Sequence, residues 1–108
     1  MKTFAEYQII GRIGRVIPAG SALKVSVAAD YGRRNDKGAW EEKPFWNTVT
    51  VFNENMIRWA RDNLGTGDLI HVRGTIREVS YDKDGETRYG VSLSADQLDL
   101  LAKKQGAA

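Results

Sequence analysis

Polar and apolar residues alternate along several stretches of the chain, most clearly in KPFWNTVTVF at residues 43–52. Successive side chains of a strand point to opposite sides, so the two valines share one face and the two threonines share the other. Trp46 and Phe52 have the parity of the threonines, which places two large aromatic rings on the polar face. The pattern predicts a strand that turns its valines to a core. It leaves open what the aromatic rings do on the opposite side.

Four further stretches have the two-residue period of a strand. These strands are predicted at residues 7–13, 22–30, 69–81 and 88–95. In the last of them, Tyr89, Val91 and Leu93 are predicted to point inward. The turn after the first strand is placed at residues 16–21, and residues 31–44 are interpreted as a long loop or an extended hairpin tip.

One helix is predicted after the strand that contains Trp46. Asn53 can cap it, and Gly65 and Gly67 end it. Its apolar face is formed by residues with helical spacing, namely Met56, Ile57, Ala60 and Leu64. Residues 95–102 are interpreted as a short amphipathic segment. Five strands with a helix between the third and the fourth is the order of an all-β OB-fold barrel, although a small α+β sheet shares this order.

The length of 108 residues favours one domain, expected at residues 1–102 and followed by a short disordered C-terminus at 103–108. There are no cysteines, no apolar run of membrane-spanning length and no leader-like opening, which favours a cytoplasmic protein. The formal net charge is +2. The first fifty residues carry an excess of three positive charges, which is compatible with a local phosphate-binding groove and also with an ordinary mixed surface.

The sequence contains no constellation of residues that predicts catalysis, a metal site or a cofactor. His71 is the only histidine and lies on the outward face of a predicted strand. The acidic residues of the DKDGE stretch at 82–86 sit on one hairpin turn, with a spacing too short for a calcium loop. The glycines of GRIGR at 11–15 precede no helix, so they do not form a nucleotide-binding fingerprint. We therefore expect a binding protein rather than an enzyme.

Four stretches, in the same order and at nearly the same spacing, resemble the bacterial single-stranded DNA-binding proteins. They are IIGRIGR, FWNTVTVF, LGTGDLIHVRGTI and YDKDGETRYGVSLSADQLDLL, and the resemblance covers roughly residues 4–101. It implies an OB barrel, usually a homotetramer and here possible also as a dimer, that binds and protects single-stranded DNA in replication, recombination and repair. It also implies a location with the nucleoid. Bases would stack on aromatic side chains while basic side chains contact phosphates, without reading sequence.

The resemblance also implies which residues contact the DNA. Trp46 and Phe52 match stacking positions of the third strand, whereas the strand pattern alone favours their burial under a partner. Tyr81 matches a further aromatic if one gap is allowed. An aromatic expected after the second strand has no direct match, and Tyr31, Arg33 or Trp40 could replace it. The phosphate contacts are assigned to Arg73 and Arg77, with Arg12 nearby, and Thr48 of the third strand is a further predicted contact. Other basic residues, Arg15 and Lys24 among them, remain available.

The chain departs from the family pattern at several basic positions. Thr48, Glu54 and Thr66 stand where the family often has a positive charge. We therefore expect binding at this strand to depend more on stacking than on charge, with a salt dependence shallower than is usual for the family. The chain ends in KKQGAA rather than in an acidic tip, so recruitment of replication proteins through a tail is not expected if the sequence is complete. The alternative function is a protein-interaction OB module like primosomal replication protein N.

Overall fold

The computed structural model describes residues 1–105, which form seven strands and one helix. These elements are β1 (Glu6–Ala19), β2 (Ala22–Asp30), β3 (Arg33–Arg34), β4 (Trp40–Glu41), β5 (Pro44–Val51), α1 (Glu54–Asn63), β6 (Leu69–Lys83) and β7 (Glu86–Ala102). The five long strands close a barrel in the order β1-β2-β5-β7-β6, and β3 pairs with β4 outside it. The predicted OB-fold barrel, with its helix between the third and fourth barrel strands, is confirmed.

β1 belongs to both halves of the barrel because a bulge divides it. Its first half pairs with β6 as far as Arg12, and its second half pairs with β2. The register shifts between Ile13 and Arg15, and a bulge of this kind bends a strand and increases its twist. A parallel contact between β5 and β7, at Thr50 and Ser94, closes the barrel. The bend lets one long strand turn from one wall of the barrel to the next.

The barrel interior is filled by the aliphatic side chains that the alternation places inward. The fully buried members are Leu23, Val25, Val27, Val49, Val51, Ile70 and Val72. Ile57 and Ala60 of α1 belong to the same core. Burial of a Val, Leu or Ile side chain stabilises a fold by about 1.5–3 kcal/mol, so this cluster supplies most of the driving force. The helix begins where predicted, since the Asn53 side chain accepts a hydrogen bond from the Met56 amide at 3.0 Å.

One predicted boundary was wrong, and one pair of predicted alternatives is resolved. The turn placed at residues 16–21 shrinks to Gly20 and Ser21, because β1 runs through Pro18 to Ala19. β6 accompanies β1 only as far as Arg12, so Pro18 lies where β1 has a neighbour on one side only, a position where proline is tolerated. Residues 31–44 are not a plain loop. They contain the short β3–β4 hairpin, which agrees with the alternative of an extended hairpin tip.

The last strand differs most from its prediction. The amphipathic segment at residues 95–102 is the continuation of β7, paired with the first part of β6. The register shifts where Arg73 pairs with Gln97 and Gly74 pairs with Ala95, so Asp96 is an extra residue on β7. This bulge interrupts the two-residue period, which is why the sequence pattern did not continue as a strand.

The prediction that Tyr89 and Val91 point inward was also wrong, because neither side chain is buried. Both share the face of Leu93, which packs against the core, yet they are 69% and 65% exposed. The β6–β7 hairpin extends beyond the barrel, so the face that is internal at Leu93 has no core to cover it further out. Only the parity of these residues was predicted correctly.

The chain after β7 is tied to the loop between α1 and β6 by Asp68. Its buried carboxylate accepts hydrogen bonds from the Lys103 ammonium at 2.7 Å, the Lys104 amide at 2.8 Å and the Gly65 amide at 2.9 Å. The Lys103 hydrogen bond is the main reason that the pKa of Asp68 falls to about 2. Of the residues 103–108 that were predicted to form a disordered C-terminus, residues 106–108 lie outside the described residues. Within residues 1–105, no helix is long and apolar enough to cross a membrane.

Candidate nucleic-acid interface

The outer surface of β1, β2 and β5 carries three rows of side chains that cross all three strands. The rows follow from the register and are Arg12–Ala28–Trp46, Arg15–Ser26–Thr48 and Ile17–Lys24–Thr50. We call these nine residues the β1–β2–β5 face. It brings together three of the predicted site residues, Trp46, Arg12 and Thr48. Phe52 directly follows β5 and continues the same alternation.

Trp46 is 60% exposed, so it is not a core residue. Its indole packs against β1 at Gly14, because a Cβ atom added to Gly14 would lie 2.4 Å from Cζ3 of the ring. The glycine therefore leaves the space that the indole occupies. Since the ring is held on one side by the sheet and remains open to solvent, it forms a fixed platform on which a flat ligand can stack.

Beside Trp46 lies an open groove of about 660 Å³. Its lining combines the indole with the aliphatic side chain of Ile17 and the cationic side chains of Arg15 and Lys24. Neither cation forms an ion pair within residues 1–105. The groove thus offers an aromatic surface and two available positive charges, which are the two components needed for a base and its phosphate.

Phe52 is 61% exposed and stands at the end of β5, immediately before the helix cap Asn53. Trp46 and Phe52 are six residues apart on one side of an extended segment, which is about 20 Å at the rise of a strand. The chain therefore displays two separate aromatic surfaces along a single strand, with Thr48 and Thr50 between them.

The ring of Trp40 lies close to the place after β2 where the sequence has no direct match to the aromatic of the family. It packs against Gly32, since a Cβ atom there would be 2.8 Å from Cζ2 of the indole. Gly32 is the position that Tyr31 and Arg33 flank in the sequence. Trp40 thus lies beside this position on the opposite strand of the hairpin, with more than half of its surface exposed.

Asp30 holds the base of this hairpin together. Its carboxylate accepts hydrogen bonds from the amides of Lys43 and Gly32, both at 2.8 Å, and from the Trp40 side chain. These bonds, led by the one from Lys43, lower the pKa of Asp30. Tyr31 packs edge-to-face on Phe45 with ring centroids 5.6 Å apart. Tyr31 and Trp40 are therefore held by the local structure rather than free to rotate on a loop.

Tyr81 and Arg77 lie on the outward side of the β6–β7 hairpin. Both belong to β6, which is not a strand of the β1–β2–β5 face. Tyr81 is about half exposed, and its ring lies 3.6 Å from the Cβ position of Gly90 on the paired strand. Arg77 donates a weak hydrogen bond to the Ser94 hydroxyl at 3.4 Å. Lys83 and Arg88 share this side of the hairpin with Glu86, which pairs with Lys83 across the strands and forms an ion pair with Arg88 at 3.5 Å. The hairpin thus carries an aromatic ring with several cations around it.

Two of the predicted cations are already engaged within the protein. Arg73 forms an ion pair with Glu6, with Nη2 and Oε1 3.1 Å apart. The Arg12 guanidinium donates to the Gly67 carbonyl at 3.1 Å. Each keeps further donors, but part of its hydrogen-bonding capacity is used. Arg33 is exposed, and its backbone pairs with Glu41 in the hairpin.

The sequence did not predict Gly14 and Ile17 as parts of the site, and it offered Arg15 and Lys24 only among the available basic residues. Lys24 and Ser26 alternate on the polar side of β2, which is the signal that places Lys24 on this side. For Arg15 and Ile17 the bulge in β1 changes which side chains face outward after Ile13. No period in the sequence reveals that shift, so the position of these two side chains beside Trp46 follows only from the strand register.

The outer surface of β1, β6 and β7 is different in character. The ring nitrogens of His71 contact the Gln8 side-chain nitrogen at 2.7 Å and the Asp99 carboxylate at 2.9 Å, and Gln97 donates to the same carboxylate. The bond from His71 is the main cause of a lowered pKa at Asp99. With the exposed Ile10 beside them, we call Gln8, Ile10, His71, Arg73, Gln97 and Asp99 the β1–β6–β7 face. Residues 1–105 contain no group of three or more side chains placed to hold a metal ion.

Comparison with known proteins agrees with this geometry. The model of the single-strand binding protein family matches residues 4–101. The chain belongs to this family. It is 32% identical to single-stranded DNA-binding protein 1 of Xylella fastidiosa over 97% of this chain and 82% of that protein. It is 27% identical to the mitochondrial single-stranded DNA-binding protein RIM1 of Saccharomyces cerevisiae, over 95% of this chain and 75% of that protein.

Solved structures of the family have the same barrel. A crystal structure of Rim1 from S. cerevisiae superposes with a TM-score of 0.69 at 26% identity, over 94% of this chain and 98% of that one. A Plasmodium falciparum SSB, solved as a complex with single-stranded DNA, has a TM-score of 0.73 at 16% identity, over 94% of this chain and 97% of that chain. The second likeness concerns the fold alone.

Proposed function

We propose that this protein binds single-stranded DNA without regard to its sequence, and that it protects the strand during replication, recombination or repair without catalysing a reaction. The observation that carries the proposal is the open indole of Trp46, packed on Gly14 beside Arg15 and Lys24, two cations that form no ion pair within residues 1–105. Membership of the single-strand binding protein family supports it.

Base stacking supplies the first part of the mechanism. Every unpaired base has a flat π surface, so an exposed aromatic ring binds any base, with about 1–3 kcal/mol per stacked base. Trp46 and Phe52 would each take a base along β5, because both rings are open on the same side of the strand. Trp40 and Tyr31 on the β3–β4 hairpin and Tyr81 on the β6–β7 hairpin would extend the contact.

Phosphate neutralisation supplies the second part. Arg15 and Lys24 would bind the backbone next to Trp46, with Arg12 in the same row as Trp46, Arg33 on the β3–β4 hairpin and Arg77 on the same strand as Tyr81. Each cation that neutralises a phosphate releases counterions, which makes affinity depend on salt. Arg73 would contribute less, because its guanidinium is paired with Glu6. Neither stacking nor phosphate contact reads base edges, so the binding would be independent of sequence.

Titration with poly(dT) at low salt tests the proposal through the intrinsic tryptophan fluorescence. Stacking of a base on Trp46 quenches its emission, so we expect saturable quenching that high salt weakens. An unchanged emission spectrum, with no change in the mass of the protein on a sizing column, would contradict DNA binding. The same quenching by poly(U) would show that the site does not distinguish RNA from DNA.

We further propose a homotetramer associated with the nucleoid in the cytoplasm, with a dimer as the alternative assembly. Support comes from exposed apolar side chains away from the β1–β2–β5 face, such as Ile10 on the barrel and Val91 on the β6–β7 hairpin. Native mass spectrometry with and without oligo(dT) reports the assembly and the number of strands bound together. A monomer at micromolar concentration would contradict the proposed assembly without affecting the proposed binding.

A further inference from the structure

A second groove, of about 320 Å³, lies between the β1–β2 turn and one side of α1. Gly20 and Ser21 form its wall on the turn, and Glu54, Ile57, Arg58 and Arg61 form its wall on the helix. Ile57 is buried at the base, and the two arginines are exposed at the rim. The groove begins where the β1–β2–β5 face ends.

We propose that this groove is a phosphate-binding subsite, in which Arg58 and Arg61 hold the backbone of single-stranded DNA after it leaves Phe52. The inference rests on the proposed function and extends it to a part of the molecule outside the β1–β2–β5 face. The subsite would set how many nucleotides one protomer covers.

Arg58 and Arg61 have hydrogen-bond donors available for a phosphate. They are three residues apart on α1, so their side chains project from neighbouring positions on one side of the helix. Within residues 1–105 neither forms an ion pair. Arg58 donates one hydrogen bond to the Asn55 side chain at 2.6 Å and retains its other donors. A guanidinium with free donors matches the geometry of a phosphate group.

The second groove continues the surface of the groove beside Trp46. Ile17 and Lys24 line the groove beside Trp46, while Gly20 and Ser21, on the turn that joins their strands, line this one. Three residues of strand from Ile17 to Gly20 span about 10 Å. Phe52 lies directly before the first turn of α1. A strand that follows β5 from Trp46 to Phe52 therefore arrives at the mouth of the second groove.

The charged side chains of the second groove are mostly cationic. Glu54 is the only acidic residue in the groove lining, which also contains the two cations Arg58 and Arg61. The arginines follow Glu54 at i+4 and i+7, so the groove has an excess of positive charge one and two turns further along the helix. Gly20 has open space around its Cβ position, which leaves the approach to the arginines clear.

The test is the salt dependence of oligo(dT) binding in an Arg58→Ala/Arg61→Ala double variant. Loss of two phosphate contacts should reduce the slope of log Kd against log salt by about 1.4, at about 0.7 per contact on a single strand. Affinity for a long oligo(dT) at low salt should fall several-fold, while the quenching of Trp46 at saturation should remain. Circular dichroism and the Tm show whether the variant folds like the wild type.

A pair of charge-matched variants separates a local subsite from a general change of net charge. Glu54→Gln and Asp62→Asn each remove one negative charge from α1, but only Glu54 lines the groove. We expect Glu54→Gln to raise affinity about twofold or more and Asp62→Asn to have a smaller effect. Wild-type binding with an unchanged slope in the double variant, or equal effects of the two acidic variants, would overturn the subsite. Absence of any binding by the wild type would instead overturn the proposed function, and the subsite with it.

Discussion

The β1–β2–β5 face and the β1–β6–β7 face are two outer surfaces of one barrel, and β1 contributes to both. On the first, Trp46 is an open aromatic ring, and Arg15 and Lys24 have no ion-pair partner within residues 1–105. On the second, His71 bonds to Gln8 and Asp99, and Arg73 is paired with Glu6. The first face has charged and aromatic groups that are available to a ligand. On the second face, most polar side chains are bonded to other side chains of the protein.

This contrast is more informative about the binding surface than the net charge of the chain. A cation that is already paired must give up its partner before it binds a phosphate, so its contribution to affinity is reduced. An unpaired cation beside a fixed aromatic ring has no such cost. The distribution of partners, rather than the number of arginines and lysines, is therefore the basis on which we propose the β1–β2–β5 face as the surface that binds nucleic acid. The following variants test this difference.

The largest effect is expected from Trp46→Ala/Phe52→Ala, which removes both stacking surfaces of β5. With about 1–3 kcal/mol per stacked base, affinity for oligo(dT) should fall about 30-fold or more. The matched control is Gln8→Ala/Gln97→Ala on the β1–β6–β7 face, for which we expect less than a twofold change. Fluorescence anisotropy of labelled oligo(dT) measures both. An equal loss in the two double variants would remove the distinction between the faces.

The second largest effect is expected from Asp68→Asn, which weakens the loop that packs beneath the β1–β2–β5 face. Asp68 anchors the loop in which the Thr66 hydroxyl donates to the Gly14 carbonyl at 3.0 Å and the Gly67 amide donates to the Ile13 carbonyl at 2.8 Å. Asp68→Asn leaves the Lys103 ammonium without its carboxylate. We expect a Tm several degrees lower at pH 7 and a modest loss of affinity for oligo(dT).

The pH dependence of the Asp68 contribution has a definite sign. Its pKa falls from 3.8 to about 2 on folding, so the folded protein favours the charged carboxylate. The stability that this group supplies is fully present above about pH 4 and is lost as the pH falls towards 2. Thermal unfolding followed by circular dichroism should therefore show the wild type and Asp68→Asn converging between pH 4 and pH 2. A constant difference across that range would contradict the role given to the carboxylate.

A smaller effect is expected from Tyr81→Ala on the β6–β7 hairpin. One lost stacking contact of about 1 kcal/mol weakens binding about fivefold. The loss should appear only with oligonucleotides long enough to reach from β5 to the hairpin. Comparison of a short and a long oligo(dT) in calorimetry separates the two cases, and an equal loss for both lengths would place Tyr81 at the first contact instead.

The smallest effect is expected from Gly14→Ala, which tests whether the position of the Trp46 ring matters. The added Cβ would occupy the space of the indole, which must then swing away from the sheet. We expect a loss of about two- to fivefold, since stacking remains possible but the ring is no longer held in place. Gly65→Ala in the loop between α1 and β6, where nothing lies near the Cβ position, is a control for the substitution itself. Gly65 is not among the glycines with a positive φ, so the added methyl group causes no backbone strain.

Much of the barrel could be predicted because its strands obey a strict two-residue period. The valines of KPFWNTVTVF are buried and Trp46 and Phe52 are exposed, as alternation and the family resemblance together indicated. The prediction failed where the backbone leaves that period. Asp96 is a bulge residue, so β7 was divided into a strand and an amphipathic segment.

The parts of the candidate site that depend on pairing between distant strands could not be predicted. That Gly14 lies beneath Trp46 follows from the register of β1, β2 and β5 and from the bulge in β1. The position of Trp40 over Gly32 likewise depends on how the β3–β4 hairpin folds back. Tyr89 and Val91 show a different limit, because alternation predicts the side of a strand but not whether a core extends beneath it.

Photocrosslinking tests most directly whether the β1–β2–β5 face is the surface that binds bases. An oligo(dT) carrying 5-iodouracil at successive positions, irradiated in complex with the wild-type protein, marks the aromatic side chains that lie against the bases. Mass spectrometry of the tryptic peptides then locates each crosslink. We predict crosslinks at Trp46 and Phe52, and weaker ones at Trp40 and Tyr81. Crosslinks confined to peptides that contain Gln8, His71 or Gln97, with none at Trp46 or Phe52, would contradict the account.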